Sequence, residues 1–406
     1  MSRLTMSSLV VVALVGGAAC GPITRGTGMG DGGADGGEVS PYPVLAKARA
    51  KKVQVGVGYA CALTTTGTVR CWGQSSTNTA GGDGMAYHFG TPAWTKDIPE
   101  PVEVAGISNV TDIAIQYSHV CVLTSAKKVL CWGRNAEGQI GNGTVDNVLA
   151  PFELPISNVK KVAVGTDHTC VLLEDGSVKC WGSNSDDQLE DVPVTLNADR
   201  WAPLTVPYVT GATDLMVSGK TTCVTMGGQP RCWGALLPTA GGALDTDPPP
   251  RLLAVPGLTE LVRTRSTACG IVGGAAKCWG DPSGGNLGTG ADFGDPEQPM
   301  PANVRGLGTG VTSMSNGCAT AGGKVWCWGS WPQRFGDGTN KPRSLLPVAA
   351  TGLTDAVQVS NAFETTCAVT STGAVYCWGD THAGQAGIGM PFEDVSLTPQ
   401  KVKSFE

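Results

Sequence analysis

Residues 159–182 read VKKVAVGTDHTCVLLEDGSVKCWG, a run punctuated like three short strands. Val162-Ala163-Val164 is apolar and ends at Gly165. Thr169 to Leu173 forms a second apolar run, Glu174-Asp175-Gly176 supplies a turn, and Ser177 to Trp181 returns as a third strand. Side chains alternate faces along a strand, so Cys180 and Trp181 point in opposite directions. Proline-bearing segments such as Pro193-Val194, Pro301-Ala302-Asn303-Val304 and Pro399-Gln400-Lys401-Val402 read as a fourth, edge-like strand, since proline cannot donate to a central ladder.

The stretch is one of seven. Cys-Trp-Gly recurs at Trp72, Trp132, Trp181, Trp233, Trp279, Trp328 and Trp378, a spacing of about fifty residues. Each copy follows another cysteine by nine or ten positions. The pairs are Cys61 with Cys71, Cys121 with Cys131, Cys170 with Cys180, Cys223 with Cys232, Cys269 with Cys278, Cys318 with Cys327, and Cys367 with Cys377. In the nine-residue intervals the midpoint falls within Gly227-Gly228, Gly273-Gly274 and Gly322-Gly323, which suits a two-residue hairpin turn. Three of the ten-residue intervals carry Gly67, Gly176 or Gly373 one past the midpoint, as a three-residue loop requires; the fourth has Lys127 there. Either loop sets the two cysteines opposite each other across a hairpin, so seven disulfides are expected, one per repeat. Zinc is the rival, but its paired thiolates stand two to four residues apart and histidine partners are scarce. A four-stranded sheet cannot bury both faces alone. Neighbouring repeats must therefore stack, with one tryptophan per repeat packing between them, and seven such blades close into a propeller without long exposed edges. The expected fold is an all-β, seven-bladed propeller of four-stranded antiparallel blades over residues 43–406.

The segments His119–Gly141, His168–Asn184 and Cys367–Gly387 carry H-T-C-x-L-x-x-x-G-x-V-x-C-W-G-x-N followed by G-Q-x-G, wholly or in part. This pattern resembles the regulator-of-chromosome-condensation repeat, and the paired cysteines resemble a bacterial, exported branch of that family. The resemblance spans roughly residues 45–405 and implies a seven-bladed propeller, with the C-terminal strand near 396–403 completing the sheet begun by 53–73 and Pro43-Val44 competing for that role. The fourth and fifth repeats depart from the pattern: Lys220 and Thr267 stand where the histidine is expected. The family's eukaryotic founder binds chromatin and promotes nucleotide exchange on a small nuclear GTPase. The net charge of −6 offers no excess of cations for a nucleic-acid backbone and argues against both roles here.

Residues 1–20 read as an export signal: Arg3, an apolar run from Leu9 to Ala19 too short to span a bilayer, then small residues before Cys20. Cys20, the one cysteine outside the pairs, is the expected lipidation site, although Gly17 replaces the usual large aliphatic residue three positions earlier. Residues 21–42 contain GTGMGDGGADGGE and read as a glycine-rich tether. Seven disulfides require an oxidising compartment, which fits export to a bacterial cell envelope or beyond, with membrane attachment only through an N-terminal lipid.

No nucleophile elbow, metal-binding His-Glu-x-x-His helix or phosphate loop is present, and glycines recur at turns. His119 and His168 recur two residues before a repeat cysteine, which implies a structural hydrogen bond rather than catalysis. No enzyme activity, cofactor or metal is expected. Surface recognition by a monomer is: a scaffold binding a protein partner through its loop-bearing faces, or alternatively an exported enzyme inhibitor, as in a β-lactamase-inhibiting member of the family. Aromatics outside the repeat pattern are the candidate contacts: Tyr87, Phe89, Trp94, Trp201 in a loop, and Trp331.

Overall fold

The computed structural model describes residues 45–74, 97–189, 198–235, 251–253, 255–264, 266–330, 335–382, 384–389 and 395–406. They form seven four-stranded antiparallel sheets. In the first blade, β1 (Ala50–Val55), β2 (Tyr59–Thr64), β3 (Val69–Gly73) and β4 (Ile98–Glu103) lie side by side in sequence order. The remaining blades occupy residues 110–153, 159–205, 214–252, 258–303, 311–349 and 356–401. First strands of successive blades touch, and the first strand of the seventh blade (Ala356–Ala362) touches β1, closing a ring about a central channel.

The hairpins follow the chain's turn chemistry. Both residues of Gly227-Gly228, Gly273-Gly274 and Gly322-Gly323 have φ between 57° and 77°, as the tight primed turn demands. Gly67, Gly176 and Gly373 are likewise left-handed, and Lys127 adopts φ 59° at the same place in the second blade. Each cysteine lies directly in register with its partner across the hairpin, as Cys170 does with Cys180. All seven expected pairs are bonded. Cys61 joins Cys71, Cys121 joins Cys131, Cys170 joins Cys180 and Cys223 joins Cys232. Cys269 joins Cys278, Cys318 joins Cys327 and Cys367 joins Cys377. The Cα separations run from 4.0 to 4.2 Å, the close spacing of a non-hydrogen-bonded pair.

Every fourth strand is the free outer edge of its blade. Pro101, Pro151, Pro203, Pro301, Pro347 and Pro399 each precede the residue that faces the second cysteine, and the ladder shifts register beside them. Proline removes a donor from the exposed edge and the irregularity bends it, which blunts pairing with another chain. In the third repeat this strand is Arg200–Thr205, and Pro193-Val194 lies outside the described residues.

Closure differs from expectation. The C-terminal strand Val395–Lys401 pairs with Val375–Asp380 of its own blade, not with 53–73. Every blade is therefore contiguous in sequence. The first and last blades are joined instead by side-chain packing and by a short return of the chain, in which Ala48 N–H donates to Ser404 O and Glu406 N–H to Ala48 O, each at 3.0 Å. Pro43-Val44 falls outside the described residues.

The core is divided among the joints between blades. Cys121, Leu123, Ile140 and Leu154 of the second blade pack with Val162, Val171 and Trp181 of the third. Trp132 packs in the same way between the first and second blades, Trp72 between the seventh and first, and Trp378 between the sixth and seventh. Trp233, Trp279 and Trp328 fill the remaining joints. All seven are buried to 1% exposure or less, as their place in the repeat leads one to expect. A tryptophan buries roughly 150–250 Å², worth roughly 4–6 kcal/mol at 25 cal/mol per Å².

Candidate partner-binding face

The repeat signature builds the joints from the residues upward. In the second blade Asn135 Oδ1 accepts from Ile140 N–H at 2.9 Å, and Gln139 Oε1 accepts from Glu137 N–H at 2.9 Å, so the loop after the third strand is held by its own side chains. That fixes the Gln139 carbonyl, which accepts the indole N–H of Trp181 in the next blade at 3.0 Å. Gly141, with φ 82°, lies so close to the Trp181 ring that a Cβ would stand 2.5 Å from its Nε1, so this position needs glycine twice over. The same latch joins Gln188 to Trp233 at 2.9 Å, Asn286 to Trp328 at 3.1 Å and, across the closure, Gln385 to Trp72 at 2.9 Å. The fifth blade thus keeps the latch with Gly285-Asn286-Leu287-Gly288 in place of Gly-Gln-x-Gly.

The histidines extend this network. His119 Nε2 lies 2.9 Å from Thr169 Oγ1 of the next blade, and Thr169 donates to the Gln139 carbonyl at 2.8 Å. His168 repeats the arrangement with Thr222, which donates to Gln188 O at 3.1 Å. Both rings are wholly buried. Desolvation pushes each down to about 3, helped at His119 by its electrostatic coupling to the His168 ring and by the Arg134 charge. They are neutral joint residues. In the fourth blade the equivalent position, opposite the Cys-Trp-Gly glycine, is Thr221 and not Lys220, which lies one residue earlier in the turn.

Polar side chains of six of the seven first strands interlink neighbouring blades. Lys52 pairs with Asp112 at 2.8 Å and Lys161 with Asp214 at 2.7 Å. Glu260 accepts from Met314 N–H at 2.7 Å, and Gln358 bridges Val53 N–H and Val53 C=O, both at 2.9 Å. Burial raises the Glu260 carboxyl, against the pull of its hydrogen bond to Met314 and of Lys52 and Lys161. These groups mainly satisfy one another. Among the described residues no cluster of three or more His, Cys, Asp or Glu side chains is arranged to hold a metal.

Antiparallel order places the turns between first and second strands, and the connections between third and fourth strands, at one end of the propeller. All the longer connections gather on this face. At the channel mouth Tyr117 and Phe363, from the second and seventh blades, meet with ring centroids 6.2 Å apart, bridging across the first blade. They are 36% and 49% exposed. Both have left-handed backbone, φ 61° and 50°, at the turn position where the fourth blade has Gly219 with φ 60°. Left-handed φ costs a non-glycine residue roughly 1–2 kcal/mol, so each carries backbone strain as well as exposed apolar surface.

Of the sequence candidates, Trp201 lies not in a loop but on the outer strand Arg200–Thr205, half exposed at 50%. Its ring packs against Gly138 of the second blade, and its carbonyl accepts from Gly143 N–H at 2.8 Å. Tyr87, Phe89, Trp94, Trp331 and Cys20 lie outside the described residues, as do residues 1–42. Tyr117 and Phe363 escape a sequence reading that looks only at tryptophans and their neighbours. A bulky aromatic where a sister repeat has glycine is the available signal. Among the described residues no helix is long and apolar enough to cross a membrane.

A ring of seven blades stapled by indole latches defines a class, the β-propellers built from sequence-contiguous blades. Comparison narrows it. Models of the regulator of chromosome condensation (RCC1) repeat match residues 50–78, 110–139, 159–188 and 363–385, and another of the same description matches 128–172. The chain belongs to the RCC1-like repeat family. The human E3 ubiquitin-protein ligase HERC2 is 32% identical over 164 residues, 36% of this chain but only 3% of that protein's length. Prp20p from Saccharomyces cerevisiae, described with its binding to Gsp1p and histones, superposes with TM-score 0.69 at 18% identity, covering 84% of this chain and 87% of that one. Yeast RCC1 (Prp20) bound to Kap60 gives 0.68 at 16% identity, covering 90% of each chain.

Proposed function

We propose that the chain is a scaffold, exported to the cell envelope or secreted, that binds a partner protein through its loop-bearing face and performs no catalytic step of its own. The observation that carries this reading is the Tyr117–Phe363 pair. Two aromatics are held in a strained conformation at the surface, on the face where the longer connections gather. Aromatic side chains of this kind dominate interface energetics. The neighbours support it: Prp20p is described with the proteins it binds, and a yeast RCC1 structure contains Kap60. Export, and lipid attachment at Cys20, are part of the proposal. The seven disulfides support export, since such bonds persist in oxidising compartments.

Affinity capture tests the reading. Residues 21–406, immobilised with disulfides intact, are exposed to a detergent extract of the source cell envelope, and bound proteins are compared with those on a reduced, unfolded control. A specific envelope or secreted protein that depends on the fold is expected. Equal recovery on both supports would overturn the reading.

A further inference from the structure

The two faces of the propeller differ in charge as well as in shape. On the face carrying Tyr117 and Phe363, the carboxylates of the described residues clearly outnumber the Lys and Arg side chains. The opposite face carries Lys47, Arg49, Lys51, Lys127, Lys128 and Lys160, and its balance is basic. Cations of the first face are largely paired internally. Arg134 Nη1 binds Asp167 at 2.8 Å with its Nη2 3.5 Å from Glu137, Lys220 binds Asp186 at 2.6 Å, and Arg343 binds Asp292 at 2.9 Å. Among the described residues neither Glu364 nor Asp380 has a lysine or arginine partner of this kind, although Asp380 Oδ1 lies 2.5 Å from His382 Nδ1. Glu364 follows Phe363 in the same turn, and its carbonyl accepts from Asp380 N–H, which brings a second acid alongside. The Asp380 carboxylate accepts from His382 N–H at 3.0 Å.

Turns of different blades are also tied to one another at this end. Gln116 Oε1 accepts from Gly219 N–H across the third blade at 3.1 Å, and Val57 N–H donates to Tyr117 O at 2.9 Å.

We propose that this Tyr117–Phe363 platform, with Glu364 in the same turn as Phe363 and Asp380 bonded to it through the main chain, is the docking site for a lysine- or arginine-rich segment of a partner protein. Resting on the scaffold reading, this names its partner class. Exposed aromatic faces attract cationic side chains, and a carboxylate at the edge completes the charge. The charge asymmetry selects this face over the other, and the left-handed turns hold both rings outward before any partner arrives, which lowers the ordering cost of binding.

The test uses the disulfide-intact protein on arrays of random decapeptides of three kinds: half Lys/Arg, half Asp/Glu, or uncharged. Retention on the basic peptides is expected, weakening steeply with salt. The Tyr117→Gly, Phe363→Gly double variant is expected to lose at least about tenfold in affinity with an unchanged or higher Tm, because glycine suits both turns. Glu364→Gln should lose severalfold. Preference for acidic or uncharged peptides, equal retention by the double variant, or no retention on any array would each overturn the proposal. A Tm drop of many degrees in the double variant would overturn it as well, since the rings would then be structural. None of these results touches the capture experiment, in which the scaffold reading stands or falls separately.

Discussion

The joint between the second and third blades and the joint between the fourth and fifth are built from the same repeat and finished differently. At the first, His119, Thr169 and Trp181 all converge on the Gln139 carbonyl loop. At the second, Thr221 and Ala268 stand in place of the histidine and of the latch threonine, and Trp279 Nε1 finds no hydrogen-bond partner among the described residues. Yet both tryptophans are completely buried. The apolar seat buries the tryptophan at both joints, whereas the polar latch among the described residues varies round the ring. Stability of a repeat protein is approximately a sum of such neighbour terms, so the joint with no latch among the described residues is where the ring should open first.

The largest perturbation is removal of the seat itself. Trp181→Ala is expected to cost about 3–5 kcal/mol, from lost burial and the cavity left behind. Trp279→Ala should cost about 1 kcal/mol less, because its indole N–H has no hydrogen-bond partner among the described residues. Denaturant unfolding of the two variants compares them; a larger loss for Trp279→Ala would break the ranking of the joints.

Removing a disulfide sharpens the same contrast. Each closes a loop of nine or ten residues, so replacing either pair by alanines should cost about 2–3 kcal/mol. Loss of Cys269–Cys278 should speed hydrogen exchange locally across the fourth and fifth blades, whereas loss of Cys170–Cys180 should spread over neighbours held by the latches. Intact mass after alkylation without reductant checks the premise: labelling of the fourteen paired cysteines, from Cys61 to Cys377, would remove it.

The buried imidazoles make the latched side sensitive to acid. His119 and His168 are held neutral, with values about 3 in the fold against about 6.5 when unfolded. Below pH 6.5 the unfolded chain binds protons that the folded chain refuses, so stability falls as pH falls toward 3 and is unaffected by these groups above 6.5. At pH 5 each costs about 2 kcal/mol. His119→Thr with His168→Thr, which copies the fourth, fifth and seventh blades, should flatten the Tm profile between about pH 7 and 5. An unchanged profile would show the rings to be accessible to protons.

How much of this is legible in the sequence follows from what each signal depends on. Cysteine spacing, glycine pairs and the Cys-Trp-Gly period are local, and they suffice for blade number, hairpins and disulfide pairing. The indole latch is not readable, because the Gln139 acceptor is a main-chain carbonyl forty-two residues from Trp181 and has no side-chain signature of its own. Closure escapes for a similar reason. Pairing of 395–401 with 375–380 rather than with 53–73 is decided by which sheet lacks an outer strand, and β4 already fills that place in the first blade. Trp201 reads as a loop residue only if Pro193-Val194 is the edge strand; with Arg200–Thr205 on the edge, it belongs to the sheet. Tyr117 and Phe363 go unseen because the resemblance directs the eye to what repeats, and they are what does not.

The smallest effect isolates the latch. Phenylalanine fills most of the tryptophan seat but lacks the N–H. Trp181→Phe leaves the Gln139 carbonyl with only Thr169 as donor and should cost about 1 kcal/mol more than the change in volume alone. Trp279→Phe removes a buried N–H that has no acceptor among the described residues, and burying such a group carries a penalty, so the loss of volume is offset and the net effect should lie close to zero. The difference between the two substitutions, read from denaturation midpoints at equal m-value, measures what the polar network adds to an apolar joint. Equal costs would mean that the latch positions the tryptophan without stabilising it, and that the fourth and fifth blades are joined as firmly as the second and third.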